Sequence, residues 1–163
     1  MAGGKKTRLA KDFRDLLRVF VAHDVRFLVV GAYALAVLGR PRATGDLDVW
    51  VDATPENGPR TFAALREYGA PLDDLGLDDL SRPGVVYQIG LPPLRIDVLT
   101  TIDGVEFSAA WRRRITADFD GVGVPVIGRV DFLANKRASG RLKDLADAER
   151  LTKMRTPSRP RRR

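Results

Sequence analysis

The chain has 163 residues, 44% hydrophobic and 30% charged, the size and balance of one soluble globular domain with a real core. It has no cysteine, which excludes disulfides, thiolate catalysis and cysteine-based zinc sites, and its single histidine, His23, cannot build a histidine-rich metal centre. No apolar run reaches membrane-spanning length and the N-terminus lacks a signal-peptide core, so the cytoplasm is the expected location and no membrane partner is expected. The formal charge is +7, and Lys5, Lys6 and Arg8 at one end with Arg159, Arg161, Arg162 and Arg163 at the other account for all of it. Such ends suit either a polyanion such as nucleic acid or a solubilising tail.

In chain order, Leu9, Phe13, Leu16, Leu17, Phe20 and Val21 recur at helical spacing and predict an amphipathic helix over 7–23. Phe27 to Val30 then reads as a short buried strand. Gly31 follows where a chain leaving a strand turns tightly, and Ala32 to Leu38 reads as a helix stopped by Gly39. After a basic loop containing Arg40 and Arg42, the run Asp46-Leu47-Asp48-Val49-Trp50-Val51 predicts a second strand. Strand side chains alternate, so Asp46 and Asp48 share one face about 7 Å apart while Leu47, Val49 and Val51 share the other. Two such carboxylates repel unless a cation lies between them, and Mg²⁺ favours carboxylate and phosphate oxygens. The strand–glycine–helix just before them offers free backbone N–H groups to a phosphate.

Thr54-Pro55-Glu56 predicts a helix start, and the helix ends near Tyr68-Gly69. The acidic, turn-rich stretch 71–84 reads as a surface connection with one helical turn. Its aspartates (Asp73, Asp74, Asp78, Asp79) have no framework to gather them on a metal. Val85 to Ile89 and Leu94 to Leu99 predict two strands around the turn Gly90-Leu91-Pro92-Pro93. Arg95, Asp97 and Leu99 share a face of the second, and a lone Asp97 there needs a partner, either Arg95 or a metal. Ser108 to Arg113 predicts a short helix anchored by Trp111. Ile115–Phe119 and Val122–Ile127 predict a hairpin at the sheet edge, where Pro125 is tolerated. Asp131 is expected to cap a helix that Gly140 breaks, and Leu142 to Met154 the last helix. Between these two helices, Lys136, Arg137, Arg141 and Lys143 fall within eight residues, a concentration suited to a triphosphate or polynucleotide. The order of elements predicts an α+β (mixed α/β) domain over 1–155. It would have a short twisted mixed sheet, helices largely on one side and two helices at its C-terminus, then a basic disordered tail over 156–163.

The stretch from Gly31-Ala32 to Asp46-Leu47-Asp48 resembles the signature of the polymerase-beta-like nucleotidyltransferase superfamily, a glycine followed by Gly or Ser and then Asp-x-Asp between apolar residues. Gly39, Arg42, Thr44 and Asp46 are most similar to the small bacterial toxin-type branch related to abortive-infection systems. Ala32 departs from the pattern by removing a hydroxyl contact to phosphate while leaving the backbone contact. The resemblance implies a nucleotidyltransferase-like fold and Mg²⁺-dependent transfer of a nucleoside monophosphate from an NTP, releasing pyrophosphate. It implies that Asp46, Asp48 and Asp97 hold two Mg²⁺ ions and that Asp97 helps deprotonate the acceptor. Gly31, Ala32 and Lys136 would bind the triphosphate, with Arg42, Arg137, Arg141, Lys143 and Asp144 as further phosphate or acceptor contacts. The acceptor would be RNA, a protein or a small molecule, and a cognate antitoxin or toxin the partner. Two other classes stay open: a catalytically silent regulatory module, which Ala32 favours, and a nucleic-acid-binding protein working through its basic ends.

Overall fold

The computed structural model describes residues 9–153; the basic ends and the end of the last helix at Met154 lie outside the described residues. A six-stranded mixed sheet, ordered β3-β4-β2-β1-β6-β5, carries the fold. β1 (Phe27–Val30) and β2 (Asp46–Val51) are antiparallel neighbours at its centre, joined by the short helix α2 (Gly31–Val37). β2 lies parallel to β4 (Arg95–Leu99) after a crossover through α3 (Asn57–Tyr68), one 3₁₀ turn (Asp79–Ser81) and the edge strand β3 (Val86–Ile89). β5 (Ile115–Phe119) and β6 (Val122–Val126) form a hairpin that joins the sheet parallel to β1.

Amphipathic patterning explains the layers. α1 (Lys11–Ala22) buries Phe13, Leu16, Leu17 and Phe20 and packs on α3, while Val21, expected on the same stripe, is exposed. All four residues of β1 are buried, as a central strand covered on both faces requires. On β2, Leu47, Val49 and Val51 are fully buried on one face; Asp46 and Asp48 stay partly accessible on the other. Trp50, on the aspartates' face but at the far end, packs edge-on against Phe107 of α4 (Phe107–Arg112), their centroids 5.0 Å apart. Trp111 is half-buried, stacked on Phe107 and covered by the Arg114 guanidinium 4.0 Å from its ring.

Helix ends follow local chemistry. α3 begins three residues after Thr54, whose hydroxyl accepts from the Asn57 N–H at 3.0 Å, and Gly69 closes it in a left-handed conformation, φ 93°. Asn57 is itself buried, its amide bonding Arg26 N–H and the Arg26 and Asp52 carbonyls and so tying α3 to the ends of β1 and β2. α5 (Arg129–Ser139) is capped by Gly128 rather than Asp131, which sits in its first turn and instead takes the Arg113 fork at 2.7 and 3.0 Å. Gly140 ends α5 at φ 66°, and α6 (Leu142–Thr152) folds back onto it. Pro125, expected at a sheet edge, lies on β6, which has a neighbour on each side; the edge is β5. β6 meets β1 only at Val126, so the missing proline N–H breaks no ladder bond there.

Candidate active site

The parallel pairing of β2 with β4 sets Asp46 beside Arg95 and Asp48 beside Asp97. Because each strand alternates, all four side chains emerge on one face, while Leu47, Val49, Ile96 and Val98 go to the core. They form one side of a cavity of about 370 Å³. Gly31 and Ala32 at the start of α2 and Arg42 and Thr44 of the following loop also line it. So do Asn135, Lys136, Ser139, Arg141, Lys143 and Asp144 from α5, α6 and their junction. A floor of carboxylates thus faces a cationic wall. Three stretches of chain distant in sequence, 30–48, 86–103 and 135–144, meet there.

Gly31 is required where it stands. Its φ of 69° is left-handed, and a Cβ would collide with the Asp48 carboxylate. The backbone passes so close to Asp48 that the first turn of α2, which has no side-chain cap, opens toward the same cavity. Burial pushes the Asp48 carboxyl up to about 6; the charge of Asp97 adds to the rise, the Lys136 ammonium opposes it, and Asp46 and a hydrogen bond with Asp97 raise it further. A carboxylate so placed is short of positive charge.

Arg95 supplies part of that charge. Its Nη2 lies 3.4 Å from Asp46 Oδ2, and its Nε 3.2 Å from Asp97 Oδ1. The Nε–Oδ1 approach is close enough for an ion pair but misaligned, so both atoms are buried without a hydrogen-bond partner. Among the described residues, no three histidine or acidic side chains are gathered closely enough to hold a metal ion as they stand. The chemistry of the donors nonetheless fits a hard divalent cation: carboxylate oxygens on adjacent strands, with an orphaned Asp97 oxygen and an undercompensated Asp48.

On the opposite wall, Lys136 is largely buried and pairs with Asp144 at 3.1 Å. Asp144 also accepts from the Ser139 hydroxyl at 2.6 Å. Burial works to raise the Asp144 carboxyl, but Ser139 and Lys136 together hold it below the usual range. Arg141 and Lys143 line the cavity from exposed positions. Arg42 lines it too, but its guanidinium is forked onto Asp147 of α6 at 3.1 and 3.2 Å. Arg137 is not brought to the cavity; it bonds Thr152 and borders a separate groove on the outer side of α5 and α6. Asp147 was not singled out in the sequence, although it lies three residues after Asp144 and so shares its helix face. Of the acidic loop residues, Asp79 accepts the Gly76 N–H within its own turn, as a solvated loop residue would.

The architecture is the nucleotidyltransferase fold. A candidate nucleotidyltransferase of Thermotoga maritima superposes with a TM-score of 0.56 at 15% identity, covering 86% of this chain and 88% of that one. The lincosamide antibiotic adenylyltransferase LnuA, in its lincomycin-bound structure, superposes with a TM-score of 0.58 at 13% identity, covering 92% of this chain and 100% of that one. No family model and no curated protein matches the sequence.

Proposed function

We propose that the chain is a metal-dependent nucleotidyltransferase. The observation that carries this reading is the convergence of Asp46, Asp48 and Asp97 on one side of a cavity whose other wall holds Lys136, Arg141 and Lys143. In the reaction, an acceptor oxygen forms a bond to the α-phosphorus of an NTP while the bond from that phosphorus to the bridging oxygen breaks. Pyrophosphate leaves with the electron pair, and the acceptor proton is lost to a base. Asp46, Asp48 and Asp97 are the proposed ligands of two Mg²⁺ ions, which when bound neutralise triphosphate charge and acidify the acceptor hydroxyl.

The chain's own contribution is alignment. The backbone at Gly31 and Ala32 receives phosphate oxygens, and Lys136, fixed in place by Asp144 and Ser139, bears on the same anion. Arg141 and Lys143 attract the polyanion from the rim. In this reading Asp97, paired with Asp48 across the strands on the cavity floor, also takes the acceptor proton. The missing hydroxyl at Ala32 leaves its backbone N–H available. The acceptor in this reading is a hydroxyl on RNA or protein. The resemblance of Gly39, Arg42, Thr44 and Asp46 to the small toxin-type branch is what suggests a place in a toxin–antitoxin pair, with a cognate antitoxin or toxin as partner.

Lys136→Ala should weaken NTP binding by about 1.5–3 kcal/mol, the scale of a charge-assisted hydrogen bond. Calorimetry with each NTP in the presence of Mg²⁺ tests it. Unchanged NTP affinity together with weaker acceptor binding would assign the α5–α6 wall to the acceptor.

A further inference from the structure

We propose that Arg95 is a displaceable internal counterion, holding the cation position between Asp46 and Asp97 until a divalent ion takes it. The protein's metal affinity is then set by competition with its own guanidinium. This rests on reading the three aspartates as a metal site.

Several observations lead there. The strand register fixes Arg95 directly beside Asp46 and two residues from Asp97, on the face that carries all three carboxylates. No other cation reaches between Asp46 and Asp97 among the described ion pairs, because Lys136 is engaged by Asp144 and Arg42 by Asp147. Yet Arg95 is held loosely. Its contacts run from 3.2 to 3.4 Å, longer than the ~2.7–2.9 Å of a well-made charge-assisted bond. Its Nε and the Asp97 Oδ1 are desolvated without bonding each other. Alignment more than length sets a fixed fork apart: Arg42–Asp147, at 3.1 and 3.2 Å, and Arg113–Asp131, at 2.7 and 3.0 Å, are both bidentate and made of aligned hydrogen bonds to a single carboxylate. Arg95 also has somewhere to go, since its side chain is 31% exposed and lines the open cavity.

The physical consequence follows from the charges. Without metal, the one guanidinium spans Asp46 and Asp97 and, among the described ion pairs, does not reach Asp48. A divalent ion brings twice the charge and accepts oxygen ligands at close range, so it outcompetes a misaligned guanidinium. The departing Arg95 leaves Asp97 free to turn its orphaned oxygen onto the ion.

The test is titration of Mg²⁺ and of Mn²⁺ into the full chain, without nucleotide, comparing wild type with Arg95→Gln and Arg95→Lys. Calorimetry gives affinity, and thermal melts give metal-dependent stabilisation. Arg95→Gln should bind either ion about tenfold more tightly, the scale of removing one competing charge. It should melt lower than wild type without metal and close to it at saturating metal. Arg95→Lys, which keeps the charge, should stay within about threefold of wild type. Equal or weaker metal binding by Arg95→Gln would overturn the proposal, as would a melting deficit that persists at saturating metal or a variant unfolded even then. If neither ion produces heat or a melting shift in any of the proteins, the metal site itself is absent, and the enzymatic reading falls with the counterion.

Discussion

Asp48→Asn should abolish nucleotidyl transfer and at the same time stabilise the metal-free protein. Asn keeps the shape of the side chain but removes the charge needed to hold a divalent ion. The stability gain follows from the position of Asp48 in the fold, where burial and the neighbouring Asp97 raise its carboxyl to about 6 from 3.8. A carboxyl whose folded-state pKa is raised contributes stability that is fully present below its unfolded value. That contribution disappears as pH rises through about 6. At pH 7.5 the wild type therefore carries an ionised, poorly solvated carboxylate, which the Asn variant lacks. In chelator, the variant should be more stable by about 1–3 kcal/mol at pH 7.5, and the advantage should shrink toward zero near pH 4. Urea unfolding of both proteins across this range reads Asp48 together with its coupling to Asp97 and Asp46, because the more distant carboxyl groups are common to both. A variant that is less stable at pH 7.5, or that retains transfer, would remove Asp48 from the site.

Arg42→Ala should be the most destabilising single change near the site, at about 3–5 kcal/mol, because it strands the nearly fully buried Asp147 carboxylate. Asp147→Asn should cost less, about 1–2 kcal/mol, since the partly exposed Arg42 can turn into the cavity and keep its solvation. The asymmetry is diagnostic of a buried acid held by a base that keeps some access to solvent, Arg42 being 21% exposed against 4% for Asp147. This fork also fastens the loop before β2 to α6, so losing it should loosen the α5–α6 wall that carries Lys136. Both variants should then bind NTP more weakly than their residual folding alone explains. Chemical denaturation paired with NTP calorimetry measures the two effects separately. Equal destabilisation by both variants would contradict the assigned burial.

What the sequence reveals most directly is what depends on period. The alternation in Asp46–Val51 and Arg95–Leu99 places Asp46, Asp48 and Asp97 correctly on strand faces, and helical spacing finds Phe13, Leu16, Leu17 and Phe20. Strand order and register are not local properties. The pairing of Asp46 with Arg95 and of Asp48 with Asp97 arises only when the β2–α3–β3–β4 crossover closes. For the same reason a hairpin is legible at residues 115–126, but its docking against β1, which makes β6 internal, is not. The basic cluster from the last turn of α5 to the start of α6 reads as one group in sequence, yet helix geometry sends Lys136 into the cavity and Arg137 to the far side. Arg42 lines the cavity, as a phosphate or acceptor contact would, but its fork onto Asp147 is not legible because that partner is remote in sequence. Asp131 reads as a cap because its first-turn position resembles one, and only the fold supplies Arg113.

The most direct test of the enzymatic reading uses NTPs labelled either at the α- or at the γ-phosphorus, incubated with the protein, Mg²⁺ and a cell extract as the source of acceptor. The predicted result is divalent-dependent incorporation of the α-label from at least one NTP and release of the γ-label as pyrophosphate. Asp48→Asn should lose both. Incorporation of the γ-label would identify a phosphoryl transferase instead. Absence of α-label transfer from all of the NTPs, with the protein folded and metal present, would contradict the nucleotidyltransferase assignment.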